Sequence, residues 1–377
     1  MSAIARTIGF SAAVAIATAI AFLPGCSSKT TSTTTSASNC TPGADGSYVN
    51  GLYDSLSSYC MVDIENGQVR PLSERVVPYS LATPLFSDYA VKYRTIWTPD
   101  GSSAPTTNAG TLDLPKGTII TKSFGFPVDP TVQGGPVHWV ETRVLAKADS
   151  GWLATSYLWN DDQTEATNQP GGKVLALTVT GTDGMQQKAD YLVPSTTQCP
   201  KCHGTDMVKI LPLGLRVEQL TGSMDYGNGP ESELAHFQKE GIVAAGNAPA
   251  PTPLPTWNDP NTGDVNARAR AYLDANCSYC HSPNGEARTT GLFLAFAETD
   301  PLRLGICKPP VAAGRASTTN SFDVVPGQPD QSILIHRVEA TEASVAMPEI
   351  GRSTVHHEAA TLLRQWVMGL PGTCPTK

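Results

Sequence analysis

Two short stretches constrain this chain more than anything else in it: Cys199-Pro200-Lys201-Cys202-His203 and Cys277-Ser278-Tyr279-Cys280-His281. In each, two thiols fit on one helical turn and a histidine follows directly. That is the attachment pattern of c-type haem, in which the thiols add to the two porphyrin vinyl groups and the imidazole faces the iron. Cys199, Cys202, Cys277 and Cys280 are therefore the candidate cofactor-binding residues, and His203 and His281 the candidate axial metal ligands. The implied cofactor is two covalently attached haem c. CxxC pairs also hold structural zinc, but there the pairs stand about 15–20 residues apart, whereas Cys199 and Cys277 are 78 positions apart. A disulfide within each CxxC would leave the histidine unexplained twice.

Cofactor attachment of this kind calls for export, and the N-terminus supplies an address. Arg6 precedes an apolar run from Ile8 to Leu23, short for a membrane span, which ends in Leu23-Pro24-Gly25-Cys26. This reads as a lipoprotein signal peptide over 1–25, with Cys26 as the lipidated N-terminus. Pro24 departs from the usual small or aliphatic residue at its position. A Ser/Thr-rich tether follows over 26–45, too polar to pack a core. The folded part is then expected on the periplasmic side or at the cell surface, lipid-anchored to a membrane. Ser27 after the lipid cysteine favours the outer membrane.

Of the nine cysteines, five are assigned to lipid and haem. The remaining Cys40, Cys60, Cys307 and Cys374 are even in number and sit in an oxidising compartment, where disulfides persist. Pairing Cys40 with Cys60 and Cys307 with Cys374 keeps each bond inside one proposed domain, one of three possible connectivities. A formal charge of −8 over 377 residues lacks the basic footprint of a nucleic-acid binder.

Two periodicities divide the mature chain. From Tyr89 to Val193 the pattern is alternation: Tyr89, Val91, Tyr93, Thr95 and Trp97 share one strand face, with Lys92 and Arg94 on the other. Further β-rich runs occupy 118–126, 137–148, 152–159 and 174–182, with Trp139, Trp152 and Trp159 as core candidates. An antiparallel sheet domain carrying the first CxxCH is expected over 46–243, and a Pro-rich linker over 244–263. Beyond it Val265, Ala269, Tyr272, Leu273 and Asn276 recur at helical spacing behind Asp264 as N-cap, delivering Cys277. Val355, Ala359, Leu362, Leu363, Trp366 and Val367 mark a second amphipathic helix. Residues 264–377 are thus expected to form a small all-α domain, giving an α+β multidomain fold. Met347-Pro348 lies 66 positions after His281, far enough to bring the Met347 sulfur to the other face of a haem. For the first haem, Met224 is a possible sixth ligand beside an open or apolar distal side, while Met207 is too near His203 and reads as packing. His138, His236 and His336 read as structural or solvated, and His356 and His357, at the start of the C-terminal amphipathic helix, as surface residues.

The helix into CxxCH, the Met-Pro loop and the C-terminal helix resemble a class I cytochrome c. Together with Thr83 to Tyr89, Lys92-Tyr93-Arg94, Glu141-Thr142-Arg143, Pro194 to His203 and Arg268 to Leu273, they resemble a family of exported bacterial dihaem c-type cytochrome lipoproteins. The first domain resembles cytochrome c′-beta and the lysine-crosslinked hydroxylamine-oxidising cytochromes. Gly117 to Lys122 is similar to the strand that bears the crosslinking lysine in the latter, which implies a position for Lys122 near the first haem. A lysine on a strand otherwise faces solvent.

The function expected from these features is transfer of single electrons between extracytoplasmic redox partner proteins, such as a dehydrogenase or another cytochrome. The competing expectation is a haem enzyme or gas-binding protein with an open coordination site on the first haem, acting on nitrogen oxides, hydroxylamine or peroxide. No catalytic residue is assigned.

Overall fold

Between Val91 and Trp159 the alternation closes into the sheet that organises the molecule. The computed structural model describes residues 40–375 except 44–45, 47, 49–50, 107–109, 206–208, 245–251, 312 and 318–320. The signal peptide, Cys26, most of the tether and Met207 lie outside the described residues, and 39–377 form one compact unit.

A hairpin of β1 (Val62–Glu65) and β2 (Gln68–Pro71) precedes a six-stranded antiparallel sheet in sequence order. Its strands are β3 (Val77–Pro78), β4 (Val91–Trp97), β5 (Ile119–Pro127), β6 (Val137–Ala148), β7 (Gly151–Trp159) and β8 (Ala166–Asn168). A second hairpin, β9 (Lys173–Thr180) and β10 (Gln186–Val193), leads into α1 (Cys199–His203). Two small hairpins follow, β11 (Gly204–Thr205) with β12 (Lys209–Ile210) and β13 (Ser223–Asp225) with β14 (Pro230–Ser232), and then α2 (Glu233–Lys239). The rest is helical: α3 (Val265–Cys277), α4 (Ile333–Glu339) and α5 (His357–Gly369). The fold is therefore mixed α+β with antiparallel sheets.

The main sheet is covered on both faces. On one, Trp97, Ile119, Val144 and Tyr157 pack with Tyr59, Met61 and Trp139. On the other, Ile96, Ile120 and Leu145 pack with Leu220 and Phe237, and Phe124 packs with Tyr191 and Val193 of β10. Arg94 was read as lying on the polar face, yet it is only 5% exposed, because β10 and α2 roof that face. A bulge between Phe124 and Gly125 bends β5. A side chain at Gly125 would meet Val137 at 2.5 Å, so the closely approaching strand needs glycine there.

In the helical part Ala269, Leu273, Leu362, Leu363 and Trp366 form one core, with α3 packed on α5. Asp264 caps α3 by accepting from the Ala267 N–H at 2.7 Å. Cys40 is bonded to Cys60, and Cys307 to Cys374. These bridges tether the N-terminal segment to the turn before β1, and a loop to the chain's end.

The two parts are joined through the segment 83–89. The Phe86 N–H donates to Asn276 Oδ1 at 2.7 Å, Thr83 Oγ1 donates to the Pro255 carbonyl at 2.7 Å, and Arg216 pairs with Asp274. His356 was read as a surface residue, but its side chain is only 12% exposed. It stacks on Phe86 with ring centroids 4.1 Å apart and hydrogen-bonds the Tyr272 hydroxyl at 3.1 Å. His138 is exposed, and His236 is buried, stacked on Tyr226.

Candidate functional site

The short α1 is set by its own sequence. Ser195 and Gln198 form a capping box just before it, and Pro200 suits its first turn. Its last residue, His203, donates from Nδ1 to the Leu211 carbonyl at 2.7 Å, and the Leu211 N–H returns a bond to the His203 carbonyl at 2.7 Å. A proton held on Nδ1 leaves Nε2 with its lone pair, the state of a metal-ligating imidazole. Burial lowers the His203 pKa to about 4, so the ring is neutral at ordinary pH.

The second motif begins at the end of α3. The chain turns as Cys280 and His281 both donate to the Cys277 carbonyl, at 3.2 and 2.9 Å. Cys277, Cys280, His281 and Met347 line one cavity of about 1150 Å³, a figure that includes its open mouth. Nδ1 of His281 is buried without a formed hydrogen bond. Burial lowers this imidazole to about 4, with the Leu292 backbone partly offsetting the shift. Two thiols, an imidazole and a thioether lining one cavity are the donor set that a covalently held haem would use.

All four motif thiols are free, in a chain whose other described cysteines are bridged. Burial pushes Cys202 up to about 11 and Cys277 and Cys280 to about 12. Among the described residues, no group of three or more His, Cys, Asp or Glu side chains is arranged to hold a metal ion.

The motifs, far apart in sequence, meet in space. Cys280 Sγ lies 3.7 Å from the Lys201 carbonyl, and Lys201 also lines the cavity of the second motif. Tyr279 is close enough to feel Cys202 as well as its own two cysteines. Spacing gave no sign of this contact, which depends on how α3 docks against the sheet part.

Lys122 does not face open solvent. It is half-buried, with Nζ 4.8 Å from the Phe124 ring centroid, and it bears electrostatically on Cys202 and His203. Arg143 does the same from the next strand. Met224 sits half-buried on β13, paired with Glu231. No family model, curated protein or solved structure matches this chain.

Proposed function

We propose that this chain is an exported dihaem c-type cytochrome that passes single electrons between redox partner proteins, with one haem held by each CxxCH segment. The observation that carries the reading is the seam where Cys280 Sγ meets the Lys201 carbonyl at 3.7 Å. It holds two attachment segments in contact, the arrangement an electron-transfer protein needs and a pair of unrelated sites does not.

Haem, when bound, supplies the one-electron chemistry of ferric and ferrous iron. The chain's own residues fix and tune it. Cys199 and Cys202 would anchor the first group, with His203 held in one tautomer by Leu211. Cys277 and Cys280 would anchor the second, with His281 and Met347 in the same cavity to supply nitrogen and sulfur to its iron. A thioether ligand raises the reduction potential and closes the coordination sphere, which suits transfer over catalysis. The helical part then acts as a class I cytochrome c and the sheet part as a distinct haem domain. A lipid anchor at Cys26 would hold both outside the cytoplasm, and the two bridged cysteine pairs suit an oxidising compartment.

One observation favours an open first site. Lys122 and Arg143 bear on both Cys202 and His203, with Glu286 bearing on Cys202 alone, and charged side chains beside the site suit a small polar molecule better than a closed ligand set. Electron paramagnetic resonance of the oxidised, exported protein separates the readings. Two low-spin ferric signals and rapid reduction by a one-electron donor support transfer. A high-spin first haem that binds nitric oxide and turns over hydroxylamine would replace it with the enzyme reading.

A further inference from the structure

The face of the main sheet nearest α1 carries an unusual row. Arg94, Lys122 and Arg143 are direct cross-strand partners on β4, β5 and β6, and Ser156 on β7 stands opposite Arg143. Like charges placed opposite each other across strands repel, and Lys92 adds a fourth cation one pleat along. The Phe124 ring relieves part of this, with Lys122 Nζ at 4.8 Å and Arg143 Cζ at 4.2 Å from its centroid.

The nearby anions are already engaged or displaced. Glu141 is fully buried and accepts from Arg143 at 2.6 and 3.1 Å and from the Tyr191 hydroxyl at 2.7 Å. Glu233 bears on Arg94 without forming an ion pair, and one of its oxygens accepts from the Ser80 N–H at 2.5 Å. Among the described residues, Lys92 donates to the Ala90 carbonyl, at 2.9 Å. Asp88 also bears on Lys92, and burial lowers Lys92 to about 7 and Lys122 well below its usual range, so the standing positive charge of the row rests on its two arginines. Arg94 Nη2 and Ser156 Oγ are both buried without a hydrogen-bond partner, although a buried guanidinium left unpaired is costly. The row runs toward the first motif: β12, which holds α1, and the 3-10 turn before α1 both pack on β7.

We propose that Arg94, Lys122 and Arg143, with Ser156 at the end of the row, form an oxyanion site beside the first CxxCH segment. Its ligand is a carboxylate or a small oxyanion that can accept from the unpartnered Arg94 Nη2 and Ser156 Oγ. Two sources have this chemistry, the propionates of a haem on Cys199 and Cys202 and a free oxyanion such as nitrite. Only the first rests on the haem reading above.

The test uses the full-length exported protein, its Arg94→Gln variant and its Lys122→Gln variant, with nitrite as the free probe. If propionates fill the row, nitrite leaves the thermal midpoint and haem spectrum of the wild type unchanged. Each variant then keeps two haems but lowers the reduction potential of the first, since a lost cation no longer favours the ferrous state. If a free oxyanion fills it, nitrite raises the thermal midpoint saturably, and Arg94→Gln weakens this at least tenfold. Lys122→Gln, in a different strand, repeats the readout should the Arg94 variant fold poorly. The proposal is overturned if nitrite has no effect and both variants leave the first-haem potential unmoved. A chain found without haem would end the cytochrome reading, yet the nitrite shift would still decide the site.

Discussion

Asp88 reaches across the molecule to Thr354, 266 positions away, and its Oδ1 accepts from both the Thr354 N–H and hydroxyl at 2.8 Å. The same carboxylate takes the Ser353 N–H at 2.7 Å, and only 2% of Asp88 is exposed. Asp88 and Tyr89 both adopt positive φ, 48° and 62°, a conformation uncommon for residues other than glycine. This turn therefore clips the sheet part to the loop that follows Met347. Asp88→Ala would strand several buried donors, at about 3 kcal/mol. Denaturant unfolding followed by a probe in each part is expected to show the helical part loosening first. Coincident, undiminished transitions would contradict the assignment.

Met347 shares a cavity with His281, and its carbonyl is gripped by Arg352 Nε at 3.0 Å and Nη2 at 2.6 Å. The loop is thus held independently of the thioether. On the proposed dihaem reading, Met347→Leu would preserve the fold and both haem attachments, lower the potential of the haem on Cys277 and Cys280, and open its iron to carbon monoxide. A redox titration with and without the gas measures this. An unchanged potential would remove Met347 from the axial position.

His356 gives a pH dependence. Burial lowers its pKa to about 4; Glu358 raises it, while Lys92, His357 and Arg352 lower it further. Phe86, Tyr89, Trp257 and Tyr272 pack around the ring. The unfolded chain binds the proton near pH 6.5, the folded one only near pH 4. Between these values the unfolded state carries more protons, so stability falls as pH drops from about 6.5 to 4, by about 3 kcal/mol at most. His356→Phe, which keeps a ring against Phe86, is expected to flatten that slope. Urea midpoints across this range check it, and equal slopes for the two proteins would contradict it.

What could be read in the sequence was local. The CxxCH segments pack their candidate ligands into five residues, and α3 declares itself through its period and the Asp264 cap. The strands 119–127 and 137–148 follow from alternation. The hidden part was tertiary. Alternation assigns Lys92, Arg94 and Lys122 to a polar face, because the roof over them comes from Tyr191 on β10 and from α2, far along the chain. His356 looked exposed at the start of a helix, since its stacking partner Phe86 lies in the other part of the molecule. The contact of Lys201 with Cys280 likewise follows from docking, and no spacing rule encodes it.

The central claim is that both thiol pairs hold haem, and intact mass spectrometry of the exported, mature chain tests it most directly. The account predicts two covalent haem additions, reduced to one by Cys199→Ala/Cys202→Ala and likewise by Cys277→Ala/Cys280→Ala. A colourless chain of unmodified mass, or one carrying zinc that either double substitution releases, would contradict it.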